Sequence, residues 1–386
     1  LTGLFILIFA ATAVYSQVVP QGNRTSRHGS RNWWALAGLL SILVLAALQF
    51  QAPLPRMLLL DLASLTAVAL VWTQAAPQAA QAGRIYLLMT GLGMLCEGAG
   101  WILGGASPTA PVYPLDRLSA ALIILGFALK LALMPLYFWL PGIAASATPM
   151  TTALIIATLD MAEFGELISL RETAPWIFTN HFALWMVLAL LSIFGGALLA
   201  LAQRDIKRML AFSTIDDIGY LLLGVLIGTP TGLEGAFWGM ISHALCKTLL
   251  FGAVGMAERV IKEPLTLDCR GLSNRFPVSS AMFITGALGM LGVPPLVGFL
   301  GRWRLYLSAV ETGGVGLGIA LIVATALALF TYVRAIHTVW LGHAPGLPVE
   351  PQTSDEPLAA RVSLIVLALV VVVLGLYPSL VQALLG

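Results

Sequence analysis

Long apolar runs broken by short polar stretches fill this chain from end to end. Runs of roughly 20 residues have the length of a helix that crosses a bilayer. That rule predicts about twelve spans, over 1–19, 33–50, 54–73, 84–104, 116–140, 149–170, 181–202, 208–228, 232–258, 277–310, 314–341 and 359–384. The run at 277–310 is too long for one straight helix and carries Pro294, Pro295 and several glycines, so a break is expected there. A transmembrane β-barrel would need alternating segments of about ten residues. The continuous runs exclude it, and the predicted class is an all-α polytopic transmembrane bundle.

The polar breaks set the orientation. Arg24, Arg27 and Arg31 lie in loop 20–32, Arg204, Lys207 and Arg208 in 203–208, and Arg259, Lys262, Arg270 and Arg275 in 259–276. The span count puts all three on one side, and an excess of Lys and Arg marks the cytoplasmic side. Loop 342–358 falls there too, but it is Pro-rich and acidic, with Glu350, Asp355 and Glu356, and reads as a surface connection. Asp205, Lys207 and Arg208 read as a solvated turn, and Arg334 and His337 as reaching the interface. The tryptophans, Trp33 and Trp34 among them, read as interface anchors.

Breaks and charges also outline an internal repeat. Residues 33–170 and 181–341 are each five-helix blocks, with an N-terminal helix and basic loop (1–32) before them and an acidic loop and C-terminal helix (342–386) after. Each block has acids in its second helix, Asp61 in one and Asp216 and Asp217 in the other. Each has a proline-broken fourth helix with a cation, Lys130 before Pro135 and Arg302 beyond Pro294 and Pro295. Five is odd, so the second block enters from the opposite side, an inverted-topology repeat common among ion-transporting proteins.

Lys130 is the most informative polar position. It lies in the middle of an apolar stretch, Leu118 to Leu140, where an ammonium costs roughly 2.5–3.5 kcal/mol on insertion scales and cannot easily reach water. Asp61 is its expected partner. Asp160 and Glu163, three apart, share a helix face, and Glu166 follows one turn on. Asp216 and Asp217 are adjacent and point about 100° apart, so at most one faces a given neighbour. His243 and Lys247 are four apart and stack on one face. One buried pair could be purely structural. A series spread over half of the spans argues for a proton relay, since helices are joined at lower cost by Ser, Thr and small residues. The carbonyl of Leu131, freed by Pro135, is expected to hold a water beside Lys130. Glu97 reads as a lone carboxylate satisfied by a serine or a backbone group.

Composition narrows the chemistry. The 386 residues are 59% hydrophobic and 10% charged, where soluble domains carry about 25% charged residues. The net charge of +2 comes from residues dispersed over loops, which excludes a nucleic-acid partner. Cys96, Cys246 and Cys269 form no CxxC, and the five histidines form no HExxH. No cofactor and no metal is expected in this chain, so any redox centre belongs to other chains. Leu1 already lies in an apolar run without a basic leader, which is not the pattern of a signal peptide.

The motifs have a familiar order. Lys130 is followed by Pro135, then LYFWLP to Pro141 and ATPMTTA from Ala147 to Ala153. QRDIKRMLAFSTIDDIGY spans Gln203 to Tyr220, SHALCKTLLF spans Ser242 to Phe251, and GVPPLVGFLGR spans Gly292 to Arg302. Together they resemble the antiporter-like subunits of respiratory complex I (NADH:quinone oxidoreductase), membrane-bound hydrogenases and Mrp-type sodium/proton antiporters. The resemblance implies a central hydrophilic axis. Lys130 matches the broken-helix lysine, Asp61 stands where a glutamate is usual, and His243 and Lys247 match the central relay. Asp160, with Glu163 beside it, stands where a lysine or histidine is usual, and Arg302 where a terminal lysine is usual. Arginine does not release its proton. Against a family pattern of fourteen helices, the two N-terminal ones would be supplied by another chain or lost.

The resemblance implies proton translocation by Asp61, Lys130, Asp160, Glu163, His243, Lys247 and Arg302. The chain would be a non-redox subunit of an NADH- or ferredoxin-quinone oxidoreductase or hydrogenase complex. Its expected partners are other membrane-arm subunits, redox subunits, lipids and protons or Na⁺, in the inner (cytoplasmic) membrane or an equivalent energy-transducing membrane. A subunit of an Mrp-type Na⁺/H⁺ antiporter is the first alternative. A diverged structural subunit that no longer pumps is the second.

Overall fold

The computed structural model describes residues 2–19, 27–74, 76–104, 115–342 and 356–379, with backbone alone at 27–30. Arg24, Glu350, Asp355 and the end of the last predicted span lie outside the described residues.

The chain is a bundle of helices. The first repeat predicted from sequence follows α1 (Thr2–Val18) and comprises α2 (Arg27–Ala47), α3 (Pro53–Trp72), α4 (Ala79–Gly104), α5 (Leu115–Lys130), α6 (Trp139–Ser146), α7 (Pro149–Ala153) and α8 (Asp160–Thr173). A short α9 (Trp176–Thr179) leads to α10 (Phe182–Ala202), α11 (Ile206–Ile227), α12 (Pro230–Ile261), α13 (Pro277–Met290), α14 (Gly298–Ala335) and α15 (Leu358–Leu376). A π-helical turn, Leu154–Leu159, joins α7 to α8, and another, Ile336–Trp340, ends α14. Proline at the first turn starts α3, α7, α12 and α13, where a missing N–H leaves no bond unmade. Asp205 caps α11 by accepting from the Arg208 amide, and Gly228, at φ 69°, ends it.

Each predicted span has its helix. The span at 116–140 is α5 and the start of α6 with a break between them. Helix α14 covers two spans. Tyr306 Oη and Thr325 Oγ1, nineteen residues apart, lie at 2.5 Å, whereas a straight helix would separate them by roughly 28 Å. The chain therefore doubles back, at Gly314 with φ 69° and ψ −176°, a conformation open to glycine alone.

Burial grades the helices by position. Helices α11 and α12 are buried along almost their whole length and form the centre of the bundle. The outer helices expose large apolar side chains such as Leu58, Leu95, Ile102, Val315 and Phe330, the surface that lipid covers.

One end of the bundle gathers the basic loops. The Trp33 indole donates to Thr151 Oγ1 (2.8 Å), and the Thr148 amide to Gln74 Oε1 (3.1 Å). Lys207 Nζ donates to the carbonyl of Ala147 (3.3 Å) and pairs with Glu258 (3.2 Å). Arg334 donates to the carbonyl of Gln203 (2.8 Å), and Asp205 pairs with Thr266 in a short antiparallel contact, the Ile206 amide donating to the Leu265 carbonyl (2.9 Å). Three sequence readings are corrected here. Lys207 is a buried ion-pair member, because the loops fold over it. Trp33 is 1% exposed and hydrogen-bonded inside, although Trp34 beside it is partly exposed. Glu356 is buried and accepts from the amides of Val278 (3.2 Å) and Ser279 (2.7 Å) and from the Ser279 hydroxyl (2.6 Å). A carboxylate at the N-terminus of α13 meets unbonded N–H groups and the positive end of the helix dipole.

The two breaks share one backbone pattern. In the first, α5 ends at Lys130, Ala132 has φ 52°, and Met134–Pro135 is cis. In the second, α13 ends at Met290, Gly292 has φ 73°, and Pro294–Pro295 is cis. The Leu133 amide donates to Ala128 (2.9 Å) as the Val293 amide does to Leu288 (3.0 Å). Lys130 and Met290 thus hold the same place in the two breaks. Side chains satisfy part of the exposed backbone. The Trp139 indole donates to the Leu129 carbonyl (2.9 Å), and the Met134 amide donates to Ser192 Oγ (3.0 Å).

Candidate functional site

Lys130 closes α5 where the helix breaks, and four helices meet around its amine. Nζ lies 2.9 Å from Asp61 Oδ1 on α3, 3.1 Å from Glu97 Oε2 on α4 and 3.9 Å from Glu163 Oε1 on α8. Ser64, one turn beyond Asp61, donates to Glu163 Oε1 at 2.6 Å. The pairing of Asp61 with Lys130 is the one expected from sequence. At an effective dielectric near 20, each contact at about this distance is worth roughly 4–6 kcal/mol, the same order as the cost of placing the amine there.

Glycine makes this closeness possible. A Cβ on Gly93 would stand 2.8 Å from Lys130 Cγ, and one on Gly126 would stand 2.9 Å from Glu97 Cβ. Helices α4 and α5 therefore touch backbone to side chain, and Glu97 reaches the amine. Glu97 is fully buried, so the reading of it as a lone, locally satisfied carboxylate is corrected. Its signal in the sequence is an acid among glycines in an apolar run, Gly93, Gly98 and Gly100. Asp61 keeps 15% of its side chain exposed while Glu97 keeps none. The amine thus holds one counter-charge at the edge of the bundle and one inside it.

The remaining acids of α8 are placed differently. Asp160 is buried with Oδ2 unpartnered, and no hydrogen bond among the described residues ties it to Lys130. Glu166 is buried, and neither of its oxygens has a hydrogen-bond partner among the described residues.

The second cluster forms at the second break. Asp217 Oδ2 lies 2.8 Å from His243 Nδ1, and Oδ1 lies 2.9 Å from Arg302 Nη2. Arg302 comes from beyond the break and donates back to the carbonyl of Met290 at 2.9 Å. Its guanidinium stands 3.9 Å over the ring of Tyr220, a cation–π contact. Asp216 points away, as adjacency requires, with Oδ1 unpartnered. Lys247, one turn from His243, donates to the Leu210 carbonyl (2.8 Å) and to Ser213 Oγ (2.6 Å), which also accepts from Tyr332 (3.1 Å). A small cleft lined by Asp217, Ser242, Met290 and Arg302 opens beside this cluster.

The structure thus joins Asp61, Lys130 and Glu163 in one group and Asp217, His243 and Arg302 in another. Lys247 stands near the second group on neutral oxygens. Among the described residues no hydrogen bond or ion pair links the two groups, and none of their acids, histidines and cysteines assemble in threes as a metal site.

Sequence and fold comparisons identify relatives of this chain. A family described as "NADH:quinone oxidoreductase/Mrp antiporter, TM" matches residues 56–328, more than half of the chain and both broken helices. The NADH-quinone oxidoreductase subunit N of Geotalea uraniireducens (strain Rf4) is 28% identical over 316 residues, which cover 78% of this chain and 66% of that protein. The subunit N of Desulforudis audaxviator (strain MP104C) is 32% identical over 280 residues, 68% of this chain and 55% of that one. The chain thus spans between 55% and 66% of the length of these relatives. A chain in the Mrp complex of Dietzia sp. DQ12-45-1b has the same fold, with a TM-score of 0.86 at 20% identity over 98% of this chain and 80% of that one. With the motifs in order and the two breaks in register, this multi-pass membrane chain belongs to the NADH:quinone oxidoreductase/Mrp antiporter transmembrane family.

Proposed function

We propose that this chain translocates protons as an antiporter-like membrane-arm subunit of a redox-driven complex related to NADH:quinone oxidoreductase. The observation that carries the proposal is a buried amine at a helix break, held by carboxylates from three other helices. The amine can bind or release a proton, and which form it takes depends on the charges and distances of its neighbours. Asp61, Glu97 and Glu163 sit on separate helices, so small helix movements change that balance. His243, bonded to Asp217, and Lys247, on neutral oxygens, would continue the relay in the second block. Asp160 would bridge toward it, and Arg302 would hold the field at the far end. Redox chemistry in other subunits would drive the movement, and this chain would need no cofactor of its own.

The test is Lys130→Ala in the intact complex, reconstituted in vesicles. Redox-driven proton uptake should fall by roughly a hundredfold or more, while the electron-transfer subunits remain assembled. Unchanged uptake would rule out the relay.

One observation favours an Mrp-type Na⁺/H⁺ antiporter as the alternative. Four buried acids, Glu97, Asp160, Glu163 and Glu166, and the partly buried Asp61 lie on the helices around a single amine, a surplus suited to a cation. Uptake of labelled Na⁺ driven by a proton gradient, without any electron donor, would select this reading.

A further inference from the structure

Helix α8 carries a polar residue at every third position, Asp160, Glu163, Glu166, Ser169 and Glu172. Residues three apart on a helix are neighbours, with Cβ atoms about 5–6 Å apart, and each step climbs roughly 4.5 Å along the axis. The five therefore form a continuous spiral track. Burial falls along it in order. Asp160, Glu163 and Glu166 are buried, Ser169 is partly open and Glu172 is exposed.

The track has partners at both ends and a free group between. At the inner end, Glu163 faces Lys130 and accepts from Ser64. At the outer end, Ser169 Oγ accepts from Arg56 Nη1 and donates to the carbonyl of Gly165 (3.2 Å). Arg56 also donates to the carbonyl of Phe50 through Nε (2.9 Å) and Nη2 (2.6 Å), at the loop between α2 and α3. That loop lies at the end of the bundle away from the basic loops. Between the two ends sits Glu166, only 4% exposed, with neither oxygen hydrogen-bonded among the described residues. A buried carboxylate with no partner is costly as a structural group.

We propose that α8 carries a second proton path, from Lys130 through Glu163, Glu166 and Ser169 to Glu172, opening on the membrane face opposite the basic loops. It rests on the proton-translocating reading above and adds a route for the same site. Each step moves one proton and no electron. The Lys130 ammonium gives its proton to the Glu163 carboxylate, leaving a neutral amine and a carboxylic acid. Glu163 then passes it to the Glu166 carboxylate and is restored. Ser169 turns its hydroxyl from the Gly165 carbonyl, accepts that proton on its oxygen and gives its own to the Glu172 carboxylate, a hydroxyl being both acceptor and donor. Glu172 hands the proton to water. Arg56, bonded at the mouth, holds Ser169 in place; its fixed positive charge sits at the outer end, where it opposes entry of other cations.

The test compares Glu166→Gln, Glu166→Asp and Lys130→Ala in vesicles carrying the intact complex. Glu166→Gln keeps the shape and removes proton exchange along α8, so proton translocation should fall severalfold, the relay through the second block remaining, while Glu166→Asp retains most of it. If Lys130→Ala abolishes translocation and Glu166→Gln leaves it intact, the path along α8 is overturned and the function stands. If Lys130→Ala leaves it intact, the function itself is overturned. Ser169→Cys supplies a second measurement that does not depend on how Glu166 variants fold. A charged, membrane-impermeant methanethiosulfonate added from the face opposite the basic loops should slow translocation severalfold relative to the treated unsubstituted chain, and a thiol reductant should restore it. Modification without slowing, or no modification from that face, would overturn the path.

Discussion

The two helix breaks share a backbone and differ in their cations. At the first, a lysine ends the inward half-helix and faces three carboxylates. At the second, methionine takes that place, and an arginine from the following half-helix lays its guanidinium on the methionine carbonyl and one aspartate. An ammonium in a surplus of carboxylates can exchange protons. A guanidinium on a fixed pair of acceptors and an aromatic face does not. One backbone device therefore carries two different cations, which under the proposed function are a titrating position in the first block and a fixed charge in the second.

The sharpest way to break that comparison is Lys130→Arg. It would give the first break the second break's cation, and translocation should fall about a hundredfold while the complex assembles, as proton uptake alongside subunit content would show. Translocation that survives would mean the amine's proton is not used. Next in size is Asp217→Asn. It leaves the buried Arg302 and His243 without their shared carboxylate, and removing one partner of a buried pair costs about 3–5 kcal/mol. Thermal unfolding of the purified complex should show the loss in this subunit first. The smallest effect is expected from Glu97→Gln. Asp61 still holds Lys130, so translocation should drop roughly tenfold or less. The Glu97→Gln, Asp61→Asn double variant should lose more than the two single losses combined, because both carboxylates act on one amine.

The sequence displays most of the fold, because a span announces itself by an unbroken apolar run. The breaks at Pro135 and at Pro294 and Pro295 were visible for the same reason. Lys130 and Asp61 were legible because charges inside such runs have no cheap explanation. Glu97 was not assigned to Lys130, since thirty-three residues separate the two and only the glycines between α4 and α5 make the approach possible. Lys207 and Glu356 were read as loop residues. A charge near a helix end looks solvated until the neighbouring segments that fold over it are known. Trp33 shows the same limit for an aromatic side chain. Its polar partner Thr151 lies 118 positions away.

Lys207 links parts of the chain that belong to different blocks. Its ammonium grips the carbonyl that ends α6 and the carboxylate near the end of α12. A sliding of one block against the other at this face would tear a shielded charge from both anchors together. The bundle is thus clamped at the basic-loop end, and the freedom that helix movement needs must be found deeper in the bundle or at the opposite end.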